Sequence, residues 1–191
     1  MIKDYSLYYS YYETGDILFV SFGDKANNIM KKQIGNITVI YNEKTPVCYE
    51  IHQITKTLKI KSKGYIFLPN SIFIDVINGL LRHANLEQLD YIDKSHYVVG
   101  KVAGIEGSNI LVDDGTKTLK CAGVKDLPKD TVVVIAEEGA LLKSGKRFQQ
   151  SENIDALLCY EDDLYLSENH ELIVLDTNID VGQDFLKMEA L

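Results

Sequence analysis

Tyr97-Val98-Val99-Gly100-Lys101-Val102, then Asn109-Ile110-Leu111-Val112, then Asp113-Asp114-Gly115, then Thr116-Lys117-Thr118-Leu119-Lys120-Cys121: this run decides the fold. Its apolar segments are short, β-branched and closely spaced, which is strand patterning. Asp113-Asp114-Gly115 is a hairpin signal, because glycine takes positive φ at little steric cost. Thr131-Val132-Val133-Val134-Ile135-Ala136 follows, almost wholly apolar, and reads as a buried strand. Ala140-Leu141-Leu142 starts a fifth strand. Residues 154–159 are apolar again, and Glu171-Leu172-Ile173-Val174-Leu175 closes the pattern. Several short strands with turn signals between them predict a small Greek-key barrel.

Upstream the pattern is different. Residues 16–22, 36–41 and 46–52 read as strands, and residues 56–61 alternate polar and apolar as a half-buried strand would. A helix follows, capped by Asn70 or Ser71, with Ile72, Ile74, Val76, Ile77, Leu80 and Leu81 as its apolar stripe. A shorter helical turn is expected over Leu86-Glu87-Gln88-Leu89. The polar stretch 90–96 is the best boundary. The expected organisation is therefore a small α+β N-terminal domain over residues 1–94, then an all-β barrel domain over residues 95–191 with an acidic C-terminal extension.

The composition is that of an ordinary globular protein: 191 residues, 46% apolar and 25% charged. No run of about 18 apolar residues occurs, so no membrane span is expected. The first residues show no apolar leader, and the expected location is the cytoplasm. Three cysteines, Cys48, Cys121 and Cys159, form no CxxC pair and read as reduced thiols. Four histidines, His52, His83, His96 and His170, show no ligand spacing, so neither a metal nor another cofactor is expected. The P-loop, GxGxxG, GxSxG and HExxH motifs are all missing, and no enzymatic activity or small-molecule substrate is expected. Asp113-Asp114 reads as a turn rather than a metal or general-base pair.

Net charge is −8, but it is unevenly placed. Residues 1–94 carry 11 Lys and Arg against 10 Asp and Glu; residues 95–150 carry 8 against 7; residues 151–191 carry 1 against 11. The acidity thus belongs to the last segment, and the rest can still present a basic face. In a five-stranded OB barrel, the second and third strands and the loops after the first and fourth form the nucleic-acid face. Lys101 on the first strand, Lys117 and Lys120 on the third, and Lys143, Lys146 and Arg147 after the fourth are the candidate phosphate contacts. Tyr8, Tyr9, Tyr11 and Tyr12 form an aromatic cluster suited to an edge strand, an oligomer contact or base stacking. No basic residue lies between Asp4 and Lys25 to hold a phosphate beside it.

The segment from Tyr97 to about Leu186 resembles the tRNA-binding domain of YtpR-type proteins, of the phenylalanyl-tRNA synthetase β chain and of the ends of methionyl-tRNA synthetases. Val98-Val99-Gly100-Lys101-Val102 looks like that family's first strand, and Gly115 with Thr118-Leu119 looks like its hairpin. Cys121 falls near its Cys-Gly step. Val132-Val133-Val134-Ile135-Ala136 with Gly139-Ala140 resembles its valine-rich strand and turn. Leu157-Leu158-Cys159, and Leu172-Ile173-Val174-Leu175 with Val181-Gly182, are similar to its closing motifs. Gly15-Asp16-Ile17-Leu18 and the helix after it fall where YtpR-type proteins place a preceding small domain. Two departures stand out: the family's His-Pro-x-Ala-Asp-Lys-Leu loop is shortened to Glu106-Gly107-Ser108-Asn109, and its Ser-x-Gly-Met becomes Ile154-Asp155-Ala156-Leu157. Both fall where the family approaches RNA. The resemblance implies a non-catalytic binder of tRNA or other structured RNA, often a homodimer. The alternative is a protein-interaction or dimerisation module whose barrel has lost its RNA face.

Overall fold

The computed structural model describes residues 1–23, 29–60, 62–122 and 126–189. It divides into two compact units, Met1–Asp93 and Lys94–Leu191. Lys25 and Lys61 lie outside the described residues.

The first unit is built on a six-stranded antiparallel sheet. Its strands are β1 (Ser6–Ser10), β2 (Ile17–Ser21), β3 (Ile29–Ile34), β4 (Ile37–Asn42), β5 (Thr45–His52) and β6 (Lys63–Tyr65). They lie side by side in the order β3-β4-β5-β2-β1-β6. A single turn of helix, α1 (Tyr11–Thr14), links β1 to β2, and α2 (Ser71–His83) follows β6. The Asn70 side chain caps α2 by accepting from Phe73 N at 2.8 Å. Ile74, Ile77 and Leu81 recur at helical spacing, so one face of α2 is apolar. That face shares one core with Leu7, Leu18, Val20, Val39, Tyr49 and Ile51 of the sheet.

Several local expectations are corrected here. Ile72 is not on the buried stripe and is 72% exposed, because it lies well around the helix from Ile74 and Ile77. The alternation expected over residues 56–61 is real at Leu58 and Ile60, which pack on the core, but residues 57–60 form an irregular strap rather than a strand. It leaves a 3₁₀ turn (Ile54–Lys56), where Leu58 N donates back to Ile54 O. Residues 86–89 are extended rather than helical: Leu89 is drawn into a parallel bridge with Ile2, and the Asn78 side chain satisfies both Leu89 N and Leu89 O. The tyrosine-rich β1 is not an edge strand, since β2 and β6 flank it.

The second unit holds β7 (Tyr97–Glu106), β8 (Asn109–Asp113), β9 (Thr118–Ala122), β10 (Val132–Ala136), β11 (Ala156–Leu158) and β12 (Val174–Leu175). β7 pairs with β8, β8 with β9, β9 with β11, β11 with β10, and β10 returns to β7. The result is a closed five-stranded barrel, antiparallel throughout except between β9 and β11. Its interior is filled by alternate residues of every strand: Val102, Ile110, Val112, Leu119, Cys121, Val133, Ile135, Ala156 and Leu158. β10 is buried, as its sequence predicts, and it is so on both faces. Gly100 is required by close approach, because a Cβ there would stand 2.4 Å from Val112 Cγ1.

The acidic segment does not trail from the barrel as an extension. β12 pairs with β10, Tyr160 bridges Leu172, and Val98 bridges Asp184. Asp184 accepts from Ser95 N at 2.9 Å and Ser95 Oγ at 2.6 Å, so the entry and exit of the unit are tied together. A short helix, α3 (Phe185–Glu189), ends the described chain. Among the described residues, no helix is long and apolar enough to cross a membrane.

Candidate nucleic-acid interface

Inward residues alternate with outward ones along a barrel strand. On β9, Leu119 and Cys121 point inward, so Lys120 stands on the outer wall. Its N donates to Asp155 Oδ2 at 2.9 Å, and its Nζ lies 3.3 Å from a Glu106 carboxylate oxygen. Asn109 Nδ2 donates to Asn153 O at 3.0 Å, which joins the β7–β8 turn to the segment preceding β11. The outer wall of β8 and β9 is thus flanked by two chain segments that touch each other.

Lys101, between buried Gly100 and Val102, also faces outward and is half-buried. It sits in register between Asp113 of β8 and Val132 of β10. Lys117 is not on a strand. It occupies the β8–β9 turn, whose shape is set by Asp114: Asp114 Oδ1 accepts from Thr116 N at 2.7 Å, Thr116 Oγ1 at 2.7 Å and Lys117 N at 2.8 Å. Glu137, just past the end of β10, lines the same cleft as Asp114. Burial pushes the Asp114 carboxyl upward, but the bonds from Thr116 and Lys117, with Glu137 beside it, outweigh burial and hold the group below its ordinary value. Glu137 moves the other way: burial and then the Asp114 charge raise it. Aspartates 113 and 114 therefore make a turn, as their place before Gly115 predicts.

Lys143, Lys146 and Arg147 share one loop after β10. Leu141 bridges Arg147, Leu142 N donates to Lys146 O at 2.8 Å, and the Tyr97 hydroxyl donates to Leu141 O. The expected fifth strand at residues 140–142 is reduced to that one bridge, because the chain reverses at once through Gly145. Arg147 is half-buried, and its Nη1 donates to Gly139 O at 2.8 Å. Lys143 Nζ lies 3.1 Å from Asp162 Oδ2, and His170 Nδ1 lies 2.8 Å from Asp162 Oδ1. Hydrogen bonds from His170, then from Lys143, keep the Asp162 carboxyl below its ordinary value. The His170 ring stacks on Tyr160 at 4.0 Å.

The structure places the six candidate cations on four parts of the second unit. Lys143, Lys146 and Arg147 lie together on the loop after β10. The turn carrying Lys117 reaches the same end of the barrel through Asp114 and Glu137. Lys120 is drawn toward Glu106, by the turn at the other end of β8, and Lys101 sits midway along β7. Lys101, Lys117 and Lys146 make no ion pair among the described residues, whereas Lys120, Lys143 and Arg147 each have a partner within the unit. Sequence reading missed Tyr97 and Asp184 as organisers of this surface, because both act through residues tens of positions away.

The thiols give no sign of chemistry. Burial pushes Cys121 up to about 12 and pushes Cys48 and Cys159 up as well, which disfavours the thiolate at each. Among the described residues, no group of three His, Cys, Asp or Glu could hold a metal ion.

No protein-family model matches this chain, and a search of curated proteins finds no match.

Proposed function

We propose that the second unit is an OB-fold barrel that binds structured RNA without catalysis, tRNA being the class the sequence resemblance implies. The observation that carries this reading is the order of the closed barrel, β7-β8-β9-β11-β10, with its single parallel pair. That order is compatible with the Greek-key barrel whose second and third strands and flanking loops take nucleic acids. On this reading β8 and β9 are the contact face, flanked by the Glu106-Gly107-Ser108-Asn109 turn and the segment before β11. Lys101, Lys117 and Lys146 supply phosphate contacts as point charges, which give affinity rather than sequence reading. Lys120, Lys143 and Arg147 hold the barrel's own segments in place. The first unit, with α2 against a six-stranded sheet, is read as α+β. The resemblance further implies a cytoplasmic homodimer.

A mobility shift with folded tRNA at about 50 and 200 mM salt tests the proposal. Binding at low salt that weakens steeply at the higher salt, and that falls in the Lys117→Glu, Lys146→Glu double variant, supports it. Undetectable binding at low salt overturns it. One observation favours a second reading, a protein-interaction barrel: residues 94–191 carry 10 Lys and Arg against 18 Asp and Glu. Such a field opposes a polyanion. Under that reading, affinity capture recovers protein partners and no RNA.

A further inference from the structure

We propose a second nucleic-acid site, on the first unit: a tyrosine-lined cleft that takes an unstacked base of a single-stranded segment. Tyr9, Ser10, Tyr11, Tyr12, Thr55, Ile60, Ser62 and Lys63 line a cleft of about 410 Å³. That size falls in the range of about 300–1,000 Å³ typical of small-ligand sites. Tyr12 is 92% exposed and Tyr11 60%, and their rings meet edge to face at 6.2 Å. Two adjacent exposed tyrosines contribute nothing to the core, yet each offers a π-face on which any base can stack.

The charge that a phosphate needs is absent from the neighbouring sequence and is supplied by the sheet. β1 pairs with β6 so that Ser10 stands opposite Lys63, which brings Lys63 to the tyrosines. Residues 56–63 carry four lysines and no acid. Of these, Lys63 on β6 lines the cleft, and Lys56 and Lys59 are exposed on the chain that leads to it. Two acids stand beside the cleft, and both are hydrogen-bonded; Asp16 accepts from the Tyr9 hydroxyl at 3.4 Å. Asp16 also accepts from Thr55 N at 3.1 Å and Thr55 Oγ1 at 2.7 Å, pinning the strap to the start of β2. Glu13 accepts from the Tyr8 hydroxyl. The cleft thus combines aromatic faces with the Lys63 cation on its wall, and stacking with charge is the pairing that sequence-tolerant single-strand binders use.

The test uses the full chain and a short fluorescein-labelled oligouridylate, read by anisotropy at about 50 mM salt. Tyr12→Ala weakens binding about 5- to 100-fold, while Tyr12→Phe, which keeps the ring, retains it. Lys63→Glu weakens binding and lowers the salt slope by about one. The barrel variant Lys117→Glu, Lys146→Glu leaves oligouridylate affinity unchanged, which separates this site from the proposed tRNA face. Four results overturn the proposal. The parent chain fails to bind oligouridylate; Tyr12→Ala binds as the parent does; or polyglutamate competes as well as oligouridylate of equal charge, which would mean a lysine field with no stacking. Loss of oligouridylate binding in the barrel variant alone places the strand on the barrel and also removes the cleft.

Discussion

Gly182 shows how a single position ties the C-terminal segment to the barrel. Its φ is +89°, and a Cβ would stand 2.9 Å from Asp114 O, a backbone atom that cannot swing aside. Its N donates to Val99 O at 2.8 Å, so the strained residue also joins the C-terminal segment to β7. Gly182→Ala is expected to destabilise the second unit by about 1–3 kcal/mol, read as a lower melting temperature. The Asp114–Glu137 pair sets a pH dependence. Glu137 keeps its proton in the folded protein above its ordinary value of 4.5, so its stabilising contribution is full below 4.5 and is lost as pH rises through the folded value. Asp114 acts in the opposite sense: its contribution is full above 3.8 and is lost as pH falls through its lowered folded value. Glu137→Gln keeps a donor toward Asp114 at every pH. It should raise the melting temperature at pH 7, and the gain over the parent should shrink toward pH 4, measured by thermal melts across that range. No gain at pH 7 would show that Glu137 ionises at no cost.

Among the elements, α2 is the clearest case of sequence fixing structure. Its start at Asn70 or Ser71 and its buried Ile74, Ile77 and Leu81 follow from local spacing, although the same spacing placed exposed Ile72 on the stripe. Asn70→Ala should cost about 1 kcal/mol of first-unit stability in denaturant unfolding, because Phe73 N loses its acceptor. The β8–β9 hairpin is equally legible, since Asp114 and Gly115 specify the turn by themselves. Asp114→Ala removes the acceptor of three donors and is expected to cost about 1–3 kcal/mol. Amide exchange at Thr116 and Lys117 would report the loss, and unchanged protection there would refute the assigned role. Residues 56–61 and 86–89 were misleading for one shared reason. Their apolar residues do reach the core, but strand or helix needs hydrogen-bond partners that local pattern does not reveal.

At the scale of the molecule, two cores account for two units. One lies between α2 and the six-stranded sheet, and the other fills the closed barrel. Residues 94–191 produced alone should melt cooperatively, observed by circular dichroism. A broad, non-cooperative trace would mean that the barrel does not fold as an independent body. Sequence by itself determined the strand-rich halves, the capped helix, the Asp-Asp-Gly turn and the buried thiols, because each rests on residues a few positions apart. Tertiary structure alone decided which charges meet. Pairing brought Lys63 to Tyr11 and Tyr12, set Glu106 against Lys120 and Asp162 against Lys143, and wove the acidic segment into the barrel wall. Charge in a sequence is a sum, whereas binding depends on the few ångströms between one group and the next, and only the closed sheets set that spacing.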